Sequence, residues 1–169
     1  LHLTDCARFT LRGNGTIDGT GKAWWNKWVL DPLPAHRPCL VVLSRCDDLL
    51  VEGVELRNSP NFHLDLEDTH RAEVRFVSIF VNRTDVAAAK AVLTAQRRAA
   101  RSRGSGGGHG GHNKALLPSS GSVGFPLQPE DLNTDGIDVS GVDVWVHDVV
   151  IDNDDDSIAV KPCGSGCRL

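Results

Sequence analysis

Apolar residues recur along this chain in short alternating sets, spaced at a nearly constant interval. Val51-x-x-Val54-x-Leu56 returns as Val74-x-x-Val77-x-Ile79, 23 residues on, and again as Val146-x-x-Val149-x-Ile151, a further 72 residues on. An apolar-x-apolar pattern is a short strand with one buried face. Leu40-Val41-Val42-Leu43, Leu64-Asp65-Leu66 and Phe9-Thr10-Leu11 supply further short strands between the blocks. A repeat of 21 to 24 residues predicts a solenoid in which strand stacks on strand. Five residues before three of the strand blocks stand Cys46, Thr69 and Gly141, and Cys6 holds the same place before Leu11. Small residues at one recurring corner are what stacked turns require. Cys6 and Cys46 are thus expected in one internal ladder, bonded or not. Several short β-branched strands per coil, with few helix signals, predict a parallel β-helix.

Two acidic stretches fall on this repeat. Asn133-Thr134-Asp135-Gly136-Ile137-Asp138-Val139 overlays Asp154-Asp155-Asp156-Ser157-Ile158-Ala159-Val160, with Ile137 on Ile158, Val139 on Val160 and Asp135 on Asp156, each pair 21 residues apart. Stacked strands lie roughly 4.7–4.9 Å apart, so Asp135 and Asp156 are expected to be neighbours, with Asp155 beside them. Three carboxylates on one surface are costly unless they perform chemistry or hold a cation. Asp138 alternates with apolar Ile137 and Val139, so it is expected to face away from the core and line the same groove. Adjacent strand residues point to opposite faces. Asp155 and Asp156 can therefore serve one site only if the strand starts irregularly there.

Two segments interrupt the rhythm. Trp24, Trp25 and Trp28 lie in a stretch closed by Pro32, Pro34 and Pro38. We expect a loop packed on the flank of the domain, the alternative being a sugar-stacking platform. Residues 83–128 form an irregular insertion, low-complexity or helical. Val86 to Arg101 is rich in Ala, Lys and Arg and has helical character, and the Gly/Ser/Arg/His run that follows to Gly111 reads as flexible. Arg97, Arg98, Arg101 and Arg103 read as a solvated basic loop. The chain thus divides into β-helix coils over 1–82, the insertion over 83–128, and coils carrying the acidic site over 129–169.

Composition narrows the class. The 169 residues suffice for one domain, and 40% hydrophobic with 24% charged residues describes a folded chain rather than a disordered one. A formal charge of −4 argues against a nucleic-acid partner, and no apolar run reaches the length needed to cross a bilayer. Five cysteines leave at least one unpaired, and Cys163 and Cys167 could close a small loop. Asn14-Gly15-Thr16 and Asn82-Arg83-Thr84 are glycosylation sequons. The chain opens at Leu1, already within an expected strand, and stops after a Gly/Cys-rich turn. These ends predict a fragment, incomplete at both ends, so a missing signal peptide says nothing about secretion.

Together, Asn133-Thr134-Asp135-Gly136-Ile137-Asp138 and Asp155-Asp156-Ser157-Ile158-Ala159-Val160-Lys161 resemble the two acidic signatures of the polygalacturonase family of glycoside hydrolases. Gly13 to Gly21, the paired Trp24-Trp25, Arg37-Pro38 and Asn58-Ser59-Pro60 agree with that resemblance, which covers most of the chain except 83–128. It implies an all-β fold, a right-handed parallel β-helix, and secreted, monomeric hydrolysis of α-1,4-galacturonosyl linkages with inversion. By resemblance, Asp155 is the general acid, and Asp135 and Asp156 activate the attacking water. Asn133, Asp138 and Lys161 are the expected substrate-binding residues, the substrate being an anionic pectic polysaccharide, galacturonan or a rhamno- or xylo-substituted relative. No cofactor or metal is expected. An inverting acid and base stand roughly 6.5–9.5 Å apart.

Two departures from the family pattern stand out. Its Gly-His-Gly and Arg-x-Lys motifs would follow the double Asp, beyond this chain, and Gly108-His109-Gly110 precedes it and reads as a decoy. Asp154 adds a fourth carboxylate where the family carries a small residue, and the Ile-x-Val alignment keeps Asp155 and Asp156 in register. Lys161 is expected either to meet a substrate carboxylate or to pair with a neighbouring Asp, and His147 to be solvent-facing or structurally bonded. Asp143, Asp148 and Asp152 read as a solvated face. The competing readings are a non-catalytic or calcium-dependent carbohydrate-binding β-helix and an inactive truncated relic.

Overall fold

The computed structural model describes residues 1–30, 37–104 and 132–162. In chain order these form β1 (His2–Thr4), β2 (Thr10–Arg12), β3 (Thr16–Asp18), α1 (Lys22–Leu30), β4 (Val41–Ser44), β5 (Asp47–Glu52), β6 (Glu55–Arg57), β7 (Leu64–Arg75), β8 (Ser78–Phe80), α2 (Arg83–Gly104), β9 (Ile137–His147), β10 (Val150–Asp152) and β11 (Ile158–Val160). All strand pairs are parallel.

The pairing resolves into three ladders. The first runs β1, β4, the start of β7, the start of β9, and β11. The second runs β2, β5 and the distal halves of β7 and β9. The third is β3, β6, β8, β10. The long strands β7 and β9 bend between ladders, and their register breaks between Leu66 and Thr69. The chain visits the ladders in the same order on each pass, so successive passes stack as coils, an arrangement consistent with a β-helix.

The aliphatic repeat sets this register. Leu11 pairs with Val51, Val51 with Val74 and Val74 with Val146. On the third ladder Ile17, Leu56, Ile79 and Ile151 stack in the same way. These rows meet Val41, Leu43, Leu64, Leu66 and Ile137 in one core. Burying a side chain of this size stabilises by about 1.5–3 kcal/mol, and a one-residue slip would turn every row outward. Corners repeat with the strands. Asp5, Arg45 and Asp68 all adopt left-handed φ near 50°, as do Arg8, Asp48, Arg71 and Asp143. Opposite charges stack at these corners, with Arg45 Nε 2.8 Å from Asp5 Oδ1 and Arg71 Nε 2.6 Å from Asp48 Oδ1. Cys6 and Cys46, neighbours on the expected corner, form a disulfide. Cys39 is free, and Cys163 and Cys167 lie outside the described residues.

The tryptophan segment is a helix, not the expected loop. Trp25, Trp28 and Val29 fall on one face of α1 at helical spacing, and Trp25 and Val29 pack in a second core with Val81, Val86, Ala89, Leu93 and Leu132. Trp25 is fully buried, so it serves packing and offers no sugar-stacking surface. Within the insertion, the helical character read over Val86 to Arg101 is present: α2 is a 22-residue helix that runs through Arg101, because Val86, Ala89 and Leu93 give it an apolar stripe to set against α1. Asn82 caps it, its Oδ1 accepting from the Thr84 and Asp85 amides at 3.1 and 3.2 Å. Both helices leave the solenoid at the corner between the third and first ladders. Gly108-His109-Gly110 lies outside the described residues.

Candidate active site

The same corner, on later coils, carries the acidic residues. Asp135 precedes β9 and Asp155 and Asp156 precede β11. Residues 153–157 are not strand, so the alternation that would send adjacent side chains to opposite faces does not apply to them. One oxygen from each of Asp135, Asp155 and Asp156 lies within 4.8 Å of the others. Asp135 is 5% exposed, while Asp155 and Asp156 are open to solvent. The irregular strand start required by the sequence is present, and it joins carboxylates from two consecutive coils.

Backbone contacts hold the two acidic segments together. The Gly136 amide donates to the Asp156 carbonyl at 2.8 Å, and the Ile137 amide to that of Ser157 at 3.1 Å. A Cβ on Gly136 would lie 2.4 Å from the Ser157 carbonyl oxygen, so only glycine permits this approach. Asn153, buried below the turn, donates through Nδ2 to the carbonyls of Thr134 at 3.1 Å and Asp156 at 2.7 Å. Asp155 Oδ1 accepts the Asp156 amide at 2.9 Å.

Under Asp135 sits His63, fully buried. Its Nε2 accepts the Ser59 amide at 3.2 Å, which leaves the ring hydrogen on Nδ1 to be donated to the Asp135 carbonyl at 2.8 Å. The same carbonyl also accepts the His63 amide at 3.0 Å. Burial lowers the His63 pKa and keeps the ring neutral. Arg37, also buried, bonds the carbonyls of Pro60 and Leu132 and lies 4.8 Å from the Trp28 ring centroid. Burial pulls it down to about 10, against the opposing charges of Cys39 and Asp155.

Asp138 faces away from the core, as expected, yet it is 0% exposed and does not line an open groove. Lys161 accounts for part of the cover, its Nζ 3.3 Å from Asp138 Oδ1 and 5.2 Å from the Phe62 ring centroid. Neither Asp138 oxygen receives a well-aligned hydrogen bond, so the contact with Lys161 is an ion pair of imperfect geometry. Of the two readings for Lys161, the structure shows the pair with an Asp. Asn133 is half-buried with φ 46° and supports the turn into Asp135. Asp154 pairs with Lys90 of α2, which takes the fourth carboxylate out of the cluster. His147 is structurally bonded, Nδ1 to Asp148 at 2.8 Å and Nε2 to Glu73 at 3.0 Å. Of the residues expected on a solvated face, Asp152 pairs with Arg83 of α2, 2.8 Å from its Nε.

Crowding and burial shape the charge. Asp135 is raised to about 7, by burial first and then by Asp138 and Asp155. Asp138 is raised to about 6, chiefly by burial and against the pull of Lys161. Burial therefore favours the neutral form of Asp135 near neutrality. Sequence reasoning missed His63 and Asn153. Asn153 was traceable, since it stands two residues past Ile151 as Asn58 stands two past Leu56.

The chain is similar to known proteins. The family model of glycosyl hydrolases family 28 matches residues 1–166. A polygalacturonase from Cryptomeria japonica is 36% identical over 85 residues, 47% of this chain and 16% of that protein. A probable endo-xylogalacturonan hydrolase A from Aspergillus flavus is 26% identical over 155 residues, 90% of this chain and 28% of that protein. A probable exopolygalacturonase B from Emericella nidulans is 35% identical over 78 residues, 41% of this chain and 17% of that protein. The chain thus spans less than a third of the length of these relatives, and no solved structure matches it. With the match running from the first coil through both acidic motifs, the chain belongs to glycosyl hydrolases family 28, the polygalacturonase family of glycoside hydrolases.

Proposed function

We propose that this chain supplies the acidic centre of a secreted hydrolase that cleaves α-1,4-galacturonosyl linkages in pectic polysaccharide. The observation that carries the reading is the convergence of Asp135, Asp155 and Asp156 from two coils onto one patch. Family membership adds the right-handed parallel β-helix, for which the stacked parallel ladders are the support. Two exposed sequon asparagines, Asn14 and Asn82, and the Cys6–Cys46 disulfide suit an oxidising, extracellular setting. We take the protein to act as a monomer, on an anionic polymer and without a cofactor.

In this mechanism Asp135 and Asp156 hold the attacking water between them. Oxygens within 4.8 Å of each other can share one water, since two hydrogen bonds of roughly 2.8 Å span that gap. Asp155, the exposed member that a glycosidic oxygen can reach, gives its proton to that oxygen as the glycosidic bond breaks, and the Asp135–Asp156 pair takes the proton that the water loses as it bonds the anomeric carbon. Crowding keeps the acid's proton available, because neighbouring carboxylates cannot all ionise without cost. The product should carry inverted anomeric configuration, read by NMR before mutarotation. Retention would point to a covalent intermediate instead.

The test is reducing-end release from polygalacturonate by the full-length protein that carries this chain. Asp155→Asn should lower kcat by about 10²–10⁴, the range of general acid catalysis. A wild-type protein that is folded and inert on every pectic polysaccharide would sink the proposal. The proximity of the three oxygens also favours a second reading, a calcium-dependent carbohydrate-binding site. Under that reading, millimolar Ca²⁺ should raise the thermal midpoint and chelation should abolish polysaccharide binding. Under the hydrolase reading neither should happen.

A further inference from the structure

One carboxyl beside this centre has no place in the mechanism. Asp65 pairs in register with Asp138 on the first ladder, and its flanking Leu64 and Leu66 turn into the core. It therefore faces the same outward surface, one strand spacing of roughly 4.7–4.9 Å from Asp138 and on the side away from β11. That distance is on the scale of one sugar ring. The next positions along this outward row are Val42 and His2, so the carboxyl stands directly between the acidic centre and a stretch without carboxylates. Among the described residues Asp65 makes no hydrogen bond or ion pair. Its neighbour Asp138, fully buried with both oxygens lacking an aligned donor, leaves the pair short of hydrogens. Lys161 supplies the nearby positive charge, and Glu67 and the Cys39 thiol are the other titratable groups facing it.

We infer that Asp65 sets the charge of the sugar accepted beside the cleavage point. With its proton on, it donates a hydrogen bond to a uronate carboxylate. With its proton off, it admits only an uncharged ring, esterified or neutral. The inference rests on the proposed hydrolase reading and deepens it, since it names which pectic sugar the position takes at a given pH. Burial, then Glu67 and Asp138, raise Asp65 to about 7, with Lys161 opposing. The protonated form is thus dominant at pH 5 and is about a tenth of the population at pH 8. Apparent affinity scales with the competent fraction, so uronate binding should weaken about tenfold over that range.

The experiment measures binding of a galacturonate oligosaccharide by calorimetry, in the full-length protein carrying Asp155→Asn to block turnover, at pH 5 and pH 8. The wild-type residue at 65 should give the tenfold loss, and a methyl-esterified oligosaccharide less than a twofold one. Asp65→Asn, a permanent donor without charge, should lose about tenfold less affinity for the uronate between pH 5 and pH 8 than the wild-type residue does, leaving only the share that Asp135 and Asp138 contribute. Asp65→Ser should also remove Asp65's part of the pH dependence while binding more weakly at pH 5, which separates donation from repulsion. A tenfold loss that persists in both variants would overturn the inference, and so would equal pH dependence for the esterified ligand. Turnover of polygalacturonate by the protein with Asp155 intact reports on the hydrolase reading separately.

Discussion

His63 grips Asp135 by its backbone rather than by its carboxylate. The imidazole Nδ1 and the His63 amide both donate to the Asp135 carbonyl, at 2.8 and 3.0 Å, while Nε2 accepts the Ser59 amide. This buried histidine is neutral, with each nitrogen committed, so it takes no part in proton transfer. It fixes where Asp135 leaves the turn. His63→Ala would strand a buried amide and a carbonyl bond and open a cavity. We expect a loss of about 2–4 kcal/mol in urea denaturation, with kcat reduced and the pH profile of the remaining activity unmoved. A displaced profile would mean that the ring itself titrates in the reaction.

Asn153 does for Asp156 what His63 does for Asp135. Its amide group ties the carbonyls of Thr134 and Asp156 from below, linking the two acidic turns through one side chain. Asn153→Ala should cost about 1–3 kcal/mol and lower kcat more than it changes KM, because misplacement by an ångström can cost about 10²-fold. Asn153→Asp is the sharper variant. It preserves size but replaces the donor with a fourth charge, so it should be worse than alanine in both stability and kcat. Equal behaviour of the two would remove the case for the amide as the linking group.

Gly136 sits where the last two coils come close. A methyl group there would meet the Ser157 carbonyl at 2.4 Å and Ile151 Cγ2 at 2.9 Å. Neither neighbour yields easily, one being backbone and the other core. Gly136→Ala should therefore destabilise by about 1–3 kcal/mol and part Asp135 from Asp156, with kcat falling steeply. Gly15, whose added Cβ meets nothing within 4 Å, provides the control, and Gly15→Ala should leave the unfolding midpoint within about 0.5 kcal/mol.

The strand rows were readable in sequence because burial on one face imposes a period of two, and stacking repeats it from coil to coil. Val51, Val74 and Val146 pair in the register their spacing implied, as do Ile137 with Ile158 and Val139 with Val160. The tryptophan helix was less legible. Trp25 and Leu93 signal a helical face only once each has the other to pack against, and the prolines after Trp28 suggested a loop. Burial of Asp138 was hidden for a similar reason, since alternation reports which face a residue takes but not what covers that face. His63 left no trace, because its value lies in a contact with a residue 72 positions away.

The buried carboxyls also dictate how stability should respond to pH. Asp65 and Asp135 sit at about 7 and Asp138 at about 6 in the folded protein, against an ordinary 3.8. Between pH 4 and 7 the folded state therefore binds more protons than the unfolded chain, and stability falls as pH rises through that window. His147, raised by its bonds to Asp148 and Glu73, acts in the same direction, its contribution being lost as pH climbs past its folded value. His63 opposes them, being held neutral by burial, but its effect is complete once the unfolded histidine has lost its proton near 6.5. The lowered carboxylates Asp5 and Asp48 matter only below about pH 4. Thermal midpoints should thus decline from pH 5 to pH 8, with most of the loss complete by about pH 7, where the raised carboxyls have given up their protons. Asp65→Asn should remove roughly a third of that decline. A midpoint that rises across the window would show that the three carboxyls are ionised in the folded protein, and the electrostatic account of the cluster would fall with it.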